Sequence, residues 1–89
     1  MEDLVLDGNA IGGLLSEIFA LDVTGAGSRC EACGALEPVG ATHAYMAVPG
    51  VVLRCSHCDA VLIRIARTTG RTWLDLRGVS YLELHGEPA

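Results

Sequence analysis

Cys30-Glu31-Ala32-Cys33-Gly34 and Cys55-Ser56-His57-Cys58-Asp59 are two Cys-x2-Cys units with 21 residues between them. Each unit sets two thiols on one tight turn, and two such turns brought together make a tetrahedral four-sulfur site. Soft thiolates suit Zn²⁺, with iron as the second choice. The residue after the second cysteine of a knuckle often needs a left-handed backbone, so that nearby N–H groups can face sulfur. Gly34 adopts that conformation freely, and Asp59 is one of the few other residue types that tolerates it. A thioredoxin-type redox pair would need a βαβ context, which is missing. Disulfides inside each unit would close very short loops and staple little. The expected ligands are therefore Cys30, Cys33, Cys55 and Cys58, holding one Zn²⁺ per chain.

Four cysteines fill a tetrahedral zinc, whereas catalytic zinc usually keeps one position for water. The expectation is a folding element and not an enzyme. His57 lies inside the second knuckle, and with four thiols present it is expected to face solvent. His43, on an expected strand, and His85, near the end of the chain, read as ordinary residues. No nucleophile elbow, phosphate loop or dinucleotide fingerprint is present.

Outward from the knuckles, the sequence reads as short strands. Thr42–Val48 and Val51–Arg54 flank Pro49-Gly50, a turn pair with proline suited to the second position and glycine to the third. Ala60–Arg67 and Arg71–Leu76 flank the loop Thr68-Thr69-Gly70. Val61, Ile63 and Ile65 alternate with Leu62, Arg64 and Ala66. Val79–Leu84 is one more strand candidate. Towards the N-terminus, Ile11, Leu14, Leu15, Ile18 and Phe19 fall on one face of a helix over residues 10–21. Asp7 or Asn9 is placed to cap it. Gly12 and Gly13 weaken it by roughly 1 kcal/mol each relative to alanine. Residues 4–8 read as an extended lead-in, and 24–28, Thr-Gly-Ala-Gly-Ser, as a flexible linker. The polar group Asp7-Gly8-Asn9 reads as a turn or cap and not as a catalytic set. The sequence thus divides into a helix and linker (1–28), a β module (29–85) and a tail (86–89), forming one compact unit.

The chain has 89 residues, of which 51% are hydrophobic and 19% charged. That length fits one domain and is short enough to need a staple such as a metal. The net charge is −5, with six arginines and no lysine. It is unevenly spread. Residues 1–40 hold seven acids against Arg29, whereas residues 41–73 hold Arg54, Arg64, Arg67 and Arg71 against Asp59. The overall charge disfavours nucleic acid as a partner. A local patch of Arg64, Arg67 and Arg71, with Trp73 able to stack on a base, keeps that function as an alternative. Trp73 is otherwise expected in the core or against an arginine. The acidic start, Met1-Glu2-Asp3, lacks the basic region of a secretory signal. No apolar stretch approaches the ~20 residues that span a bilayer. A cytoplasmic location without membrane contact is expected, where cysteines stay reduced.

The module from about 29 to 76 resembles a zinc ribbon, a small β fold with two cysteine knuckles gripping one metal. The whole chain also resembles a family of short bacterial zinc-ribbon proteins classed as a domain of unknown function. The residues that carry this are Leu6-Asp7-Gly8-Asn9-Ala10, Phe19-Ala20-Leu21-Asp22-Val23-Thr24, Pro49-Gly50-Val51-Val52-Leu53-Arg54-Cys55 and Arg71-Thr72-Trp73-Leu74-Asp75-Leu76. The resemblance implies metal binding at the four cysteines and no known activity. Asp59 departs from the commonest knuckle pattern, where a second glycine is frequent, and leaves the ligands intact. The expected fold is α+β, an N-terminal helix with a small antiparallel, rubredoxin-like zinc ribbon. The expected function is structural zinc binding in service of protein contacts, with a protein partner or a homodimer. A zinc-bearing accessory subunit of an enzyme is a further alternative. The low charged fraction, below the usual ~25%, motivates the contact reading.

Overall fold

A computed structural model describes residues 5–19, 23–47 and 50–84. The described residues form eight short strands and one α-helix, with 3-10 turns at Gly8–Ile11 and Val39–Ala41. The strands and helix are β1 (Val5–Asp7), α1 (Gly12–Phe19), β2 (Gly27–Cys30), β3 (Leu36–Pro38), β4 (His43–Ala47), β5 (Gly50–Arg54), β6 (Val61–Thr68), β7 (Arg71–Asp75) and β8 (Val79–Glu83). One sheet has the order β1-β4-β5-β6-β7 and the other β3-β2-β8, with every pairing antiparallel. The class is α+β. No helix among the described residues is long and apolar enough to cross a membrane.

Strand alternation decides which face of the larger sheet is buried. Register places Ala44, Val51, Leu53, Ile63 and Ile65 on one face. All five are buried. The same register places Tyr45, Val52, Arg64, Ala66 and Trp73 on the other. The helix stripe closes over the apolar face. Leu15 is fully buried and Ile11 nearly so, with Leu14, Ile18 and Phe19 packed around them. Burying a leucine of this kind contributes about 1.5–3 kcal/mol. An eight-residue helix would be marginal alone, so this stripe is what holds it.

Some expectations are refined. Residues 8–11 form a 3-10 turn ahead of the helix, with Asp7 as its cap, its Oδ1 accepting from the Ala10 N–H at 3.2 Å. The α-helix proper begins at Gly12, two residues later than the periodicity predicts, with Gly12 and Gly13 as its first two residues. Residues 20–22, the end of the expected helix, lie outside the described residues, as do Val48, Pro49, His85 and the tail 86–89. The stretch 24–28, expected as a linker, is built into the fold. Ala26 and Ser28 are buried, and β2 begins at Gly27. The Ser28 hydroxyl donates to the Glu37 carbonyl at 2.9 Å, so a run of small polar residues is ordered by pairing with β3 and β8. Trp73 is not in the core. It is 49% exposed, on the solvent face of β7, because alternation sends Leu74 and not Trp73 toward the apolar side.

Candidate metal centre

Each cysteine pair follows a strand whose pairing is interrupted just before the turn. The β2–β8 register shifts between Arg29 and Cys30, and the β5–β6 register shifts between Leu53 and Arg54. Such bulges bend a strand and re-aim the side chains that follow. Both turns then close the same way. The Cys30 N–H donates to Ala35 O and the Gly34 N–H to Cys30 O, each at 2.9 Å. The Cys55 N–H donates to Ala60 O and the Asp59 N–H to Cys55 O, again at 2.9 Å. Gly34 has φ +78° and Asp59 φ +66°, the left-handed conformation that the sequence requires after each knuckle. The two knuckles are thus the same hydrogen-bonded motif built from different sequences.

The turns meet where the two sheets join. Gly78 supports that junction. Its N–H donates to Leu62 O at 3.1 Å and its carbonyl accepts from the Glu31 N–H at 3.0 Å. A Cβ at Gly78 would lie 1.8 Å from the Val61 carbonyl oxygen, so no larger residue fits between β6 and the first knuckle.

The four Sγ atoms all lie within 4.8 Å of one another. The short contacts run across the knuckles, Cys30 to Cys58 at 3.6 Å and Cys33 to Cys55 at 3.7 Å. These lengths are far from a disulfide bond of about 2.05 Å. They match the edge of a tetrahedron with metal–sulfur bonds of about 2.3 Å, which is about 3.8 Å. Four cysteines in this arrangement can hold a metal ion. Cys30 and Cys55 are buried and Cys33 and Cys58 exposed, so one edge of the cluster faces solvent.

The electrostatics of the cluster favour a cation. Burial pushes the Cys30 thiol up, but the Cys33 and Ala32 N–H groups and the thiols of Cys58 and Cys33 outweigh it and hold Cys30 at about 7. The Ala60 N–H lowers Cys58, yet desolvation and the other three thiols push it up to about 12. Cys33 is also raised: the Ala35 N–H lowers it, and desolvation with the Cys55 and Cys30 thiols outweighs that. One thiolate makes the next harder to form, and a dication among the sulfurs removes that conflict.

One residue of the surroundings had no signal in the sequence. Glu37, on β3, is only 8% exposed and reaches across to the second knuckle. Its Oε1 accepts from the Ser56 N–H at 3.0 Å and its Oε2 from the Ser56 hydroxyl. His57 Nε2 stands 3.5 Å from the same carboxylate. The His57 side chain is 58% exposed, and its backbone N–H donates to Cys55 Sγ at 3.3 Å. The histidine therefore faces solvent as expected, and its main chain, not its ring, serves the cluster. A lone glutamate seven residues from Cys30 carries no spacing motif, so only the packing of β3 beside the knuckle makes it visible.

The arginine patch is divided. Arg64 and Arg71 share the solvent face with Trp73, while Arg67 points to the helix side and stands 3.7 Å from Glu17. Alternation along β6 separates Arg64 from Arg67 by three residues and hence onto opposite faces. The cation–π contact found is Arg54 over Tyr45, at 5.6 Å, and not one at Trp73.

A family of unknown function, DUF6510, matches residues 1–87, and the chain belongs to it. No curated protein and no solved structure matches the chain.

Proposed function

We propose that Cys30, Cys33, Cys55 and Cys58 hold one Zn²⁺ as the folding element of a rubredoxin-like zinc ribbon, and that the protein works through protein contacts in the cytoplasm and not by catalysis. The observation that carries the metal reading is the sulfur cluster, with cross-knuckle distances of 3.6 and 3.7 Å between two knuckles of identical hydrogen bonding. Zinc is favoured over iron because it needs no redox partner and takes this ligand set in structural sites. The ion would tie β2 of one sheet to the β5–β6 turn of the other, so its binding energy would count directly as folding energy.

Four sulfur ligands leave no position for a substrate, which supports a structural role. The helix stripe is already covered within the chain. A partner surface is therefore to be sought elsewhere, among Trp73, Leu74, Leu36 and Tyr81, large apolar side chains left exposed. Nucleic acid is a second reading, supported by Arg64, Arg71 and Trp73 on one face and opposed by the charge of −5. A Cys55→Ser variant tests the metal reading. It should lose both its zinc and the circular-dichroism signature of the fold. A variant that keeps fold and metal content would refute it. Binding to single-stranded DNA that weakens steeply with salt would favour the second reading.

A further inference from the structure

β7 (Arg71–Asp75) ends the larger sheet, and among the described residues nothing pairs on its outer side. An edge strand presents free N–H and C=O groups that template another strand, and proteins usually blunt such edges with proline, bulges or charged side chains. β7 has no proline and no bulge, and its two charges, Arg71 and Asp75, are of opposite sign and stand at its two ends. Its register with β6 runs without a shift from Arg64↔Asp75 to Thr68↔Arg71. Arg71, Thr72, Trp73 and Leu74 are all exposed, Trp73 at 49% and Leu74 at 37%.

We propose that β7 pairs with β7 of a second copy of this chain, antiparallel about a two-fold axis through Trp73, joining two five-stranded sheets into one. The inference rests on the protein-contact reading and supplies its surface and partner. The occupant follows from the strand's own sequence. A two-fold contact pairs each residue with its mirror position. The register that uses all five residues sets Trp73 opposite Trp73 of the second copy, Thr72 opposite Leu74, and Arg71 opposite Asp75.

Every pair in that register is a favourable one. The two Trp73 rings meet on the solvent face as a cross-strand aromatic pair. Leu74 lies beside the Thr72 methyl on the apolar face. Arg71 of each copy meets the Asp75 carboxylate of the other. Asp75 already accepts from the Arg77 backbone N–H at 3.0 Å, from Nε at 3.1 Å and from Nη2 at 2.8 Å, so of about four acceptor positions on the carboxylate one remains, enough for a single bond from Arg71 of the second copy. A foreign strand would match these five positions only by coincidence, whereas a second copy matches them by symmetry. Five residue pairs span only about 17 Å, a contact smaller than the usual stable interface. The dimer should therefore be weak, with a Kd of about 1–100 µM.

The test is sedimentation equilibrium of the full, metal-loaded chain from about 1 to 500 µM. The wild type should pass from monomer to dimer over that range. Arg71→Asp and Asp75→Arg each set like charges across both ends of the strand pair, and each should weaken dimerisation by about tenfold or more. Mixing the two variants should restore dimerisation as a heterodimer. The carboxylate introduced by Arg71→Asp in one copy then faces the guanidinium introduced by Asp75→Arg in the other, and the opposite end keeps its native pair. That rescue cannot come from a folding defect in either variant. A wild type that stays monomeric throughout overturns the proposal, as does a dimer indifferent to Arg71→Asp. If the wild type is monomeric while single-stranded DNA quenches Trp73 fluorescence, the strand face serves nucleic acid instead, and the proposal again fails. Zinc content read on the same samples separates these results from failure of the metal reading, which would show as a metal-free, unfolded chain.

Discussion

Gly34 and Asp59 occupy the same place in the two knuckles, each with a left-handed backbone and each donating its N–H to the carbonyl of the first cysteine of its pair. One position is free of steric cost and the other is not. An L-residue held left-handed gives up roughly 1–2 kcal/mol, somewhat less for aspartate. Gly34→Ala should therefore destabilise the protein by about 1–2 kcal/mol. Asp59→Gly should be neutral or stabilise it by up to about 1 kcal/mol. Urea denaturation of the metal-loaded proteins measures both. A stabilising Gly34→Ala would show that the first knuckle does not need the left-handed turn.

Glu37 fixes the second knuckle from outside it. Removing its carboxylate takes away the acceptor of the Ser56 N–H and hydroxyl, and because Ser56 is exposed to water this costs about 0.5–1.5 kcal/mol per bond. Groups that orient ligands in this way are typically worth a factor of about 10–100 in metal affinity. Glu37→Ala should lose metal to a competing chelator at correspondingly lower chelator concentration. Glu37→Gln keeps one oxygen for the Ser56 N–H and should fall between Glu37→Ala and the wild type. Equal behaviour of all three proteins would remove Glu37 from the account.

The thiols tie metal binding to pH. Cys33 and Cys58 are raised above the ordinary value of 9.0, Cys58 to about 12, so both hold their protons at neutral pH, whereas Cys30 is held at about 7. Metal binding expels the remaining thiol protons, so metal affinity should rise with pH near neutrality, and the metal-held fold should weaken as pH falls. Chelator competition at a series of pH values reads the trend. Metal affinity independent of pH between about 6 and 8 would contradict the thiolate site.

Leu15 carries the attachment of α1 to the sheet. It is fully buried among Ile11, Val23 and the apolar face of the sheet's core. Leu15→Ala should cost about 2–5 kcal/mol, the sum of lost burial and a cavity. Leu15 supplies no ligand to the sulfur cluster, so metal stoichiometry of the folded chain should be unchanged. Thermal melting with metal analysis checks the pair of outcomes. Loss of metal at wild-type stability would reverse the roles assigned to helix and knuckles.

The knuckles were the most legible part of the sequence, because their geometry is local. Two thiols three residues apart and a left-handed residue after them are dictated within a single turn. The hairpin around Thr69-Gly70 was legible for the same reason, and the period-two pattern that groups Val61, Ile63 and Ile65 matches the face on which Ile63 and Ile65 are buried. Three features depended on contacts distant in sequence and were not legible. Residues 24–28 read as a linker because glycine, alanine and serine carry little strand preference, and only pairing of β2 with both β3 and β8 orders the end of that stretch, from Gly27 on. Trp73 read as core or as the partner of an arginine, whereas its face is set by where β7 ends up against β6. Glu37 became part of the metal surroundings only through the approach of β3 to the second knuckle. The arginine patch failed on alternation, since Arg64 and Arg67 lie on opposite faces of one strand.

Native mass spectrometry of the purified chain, with a chelated control, tests the central claim most directly. The account predicts one zinc ion per chain, lost with unfolding when the chelator removes it. A metal-free chain that keeps its fold, or one with its cysteines paired as disulfides under reducing purification, would contradict it.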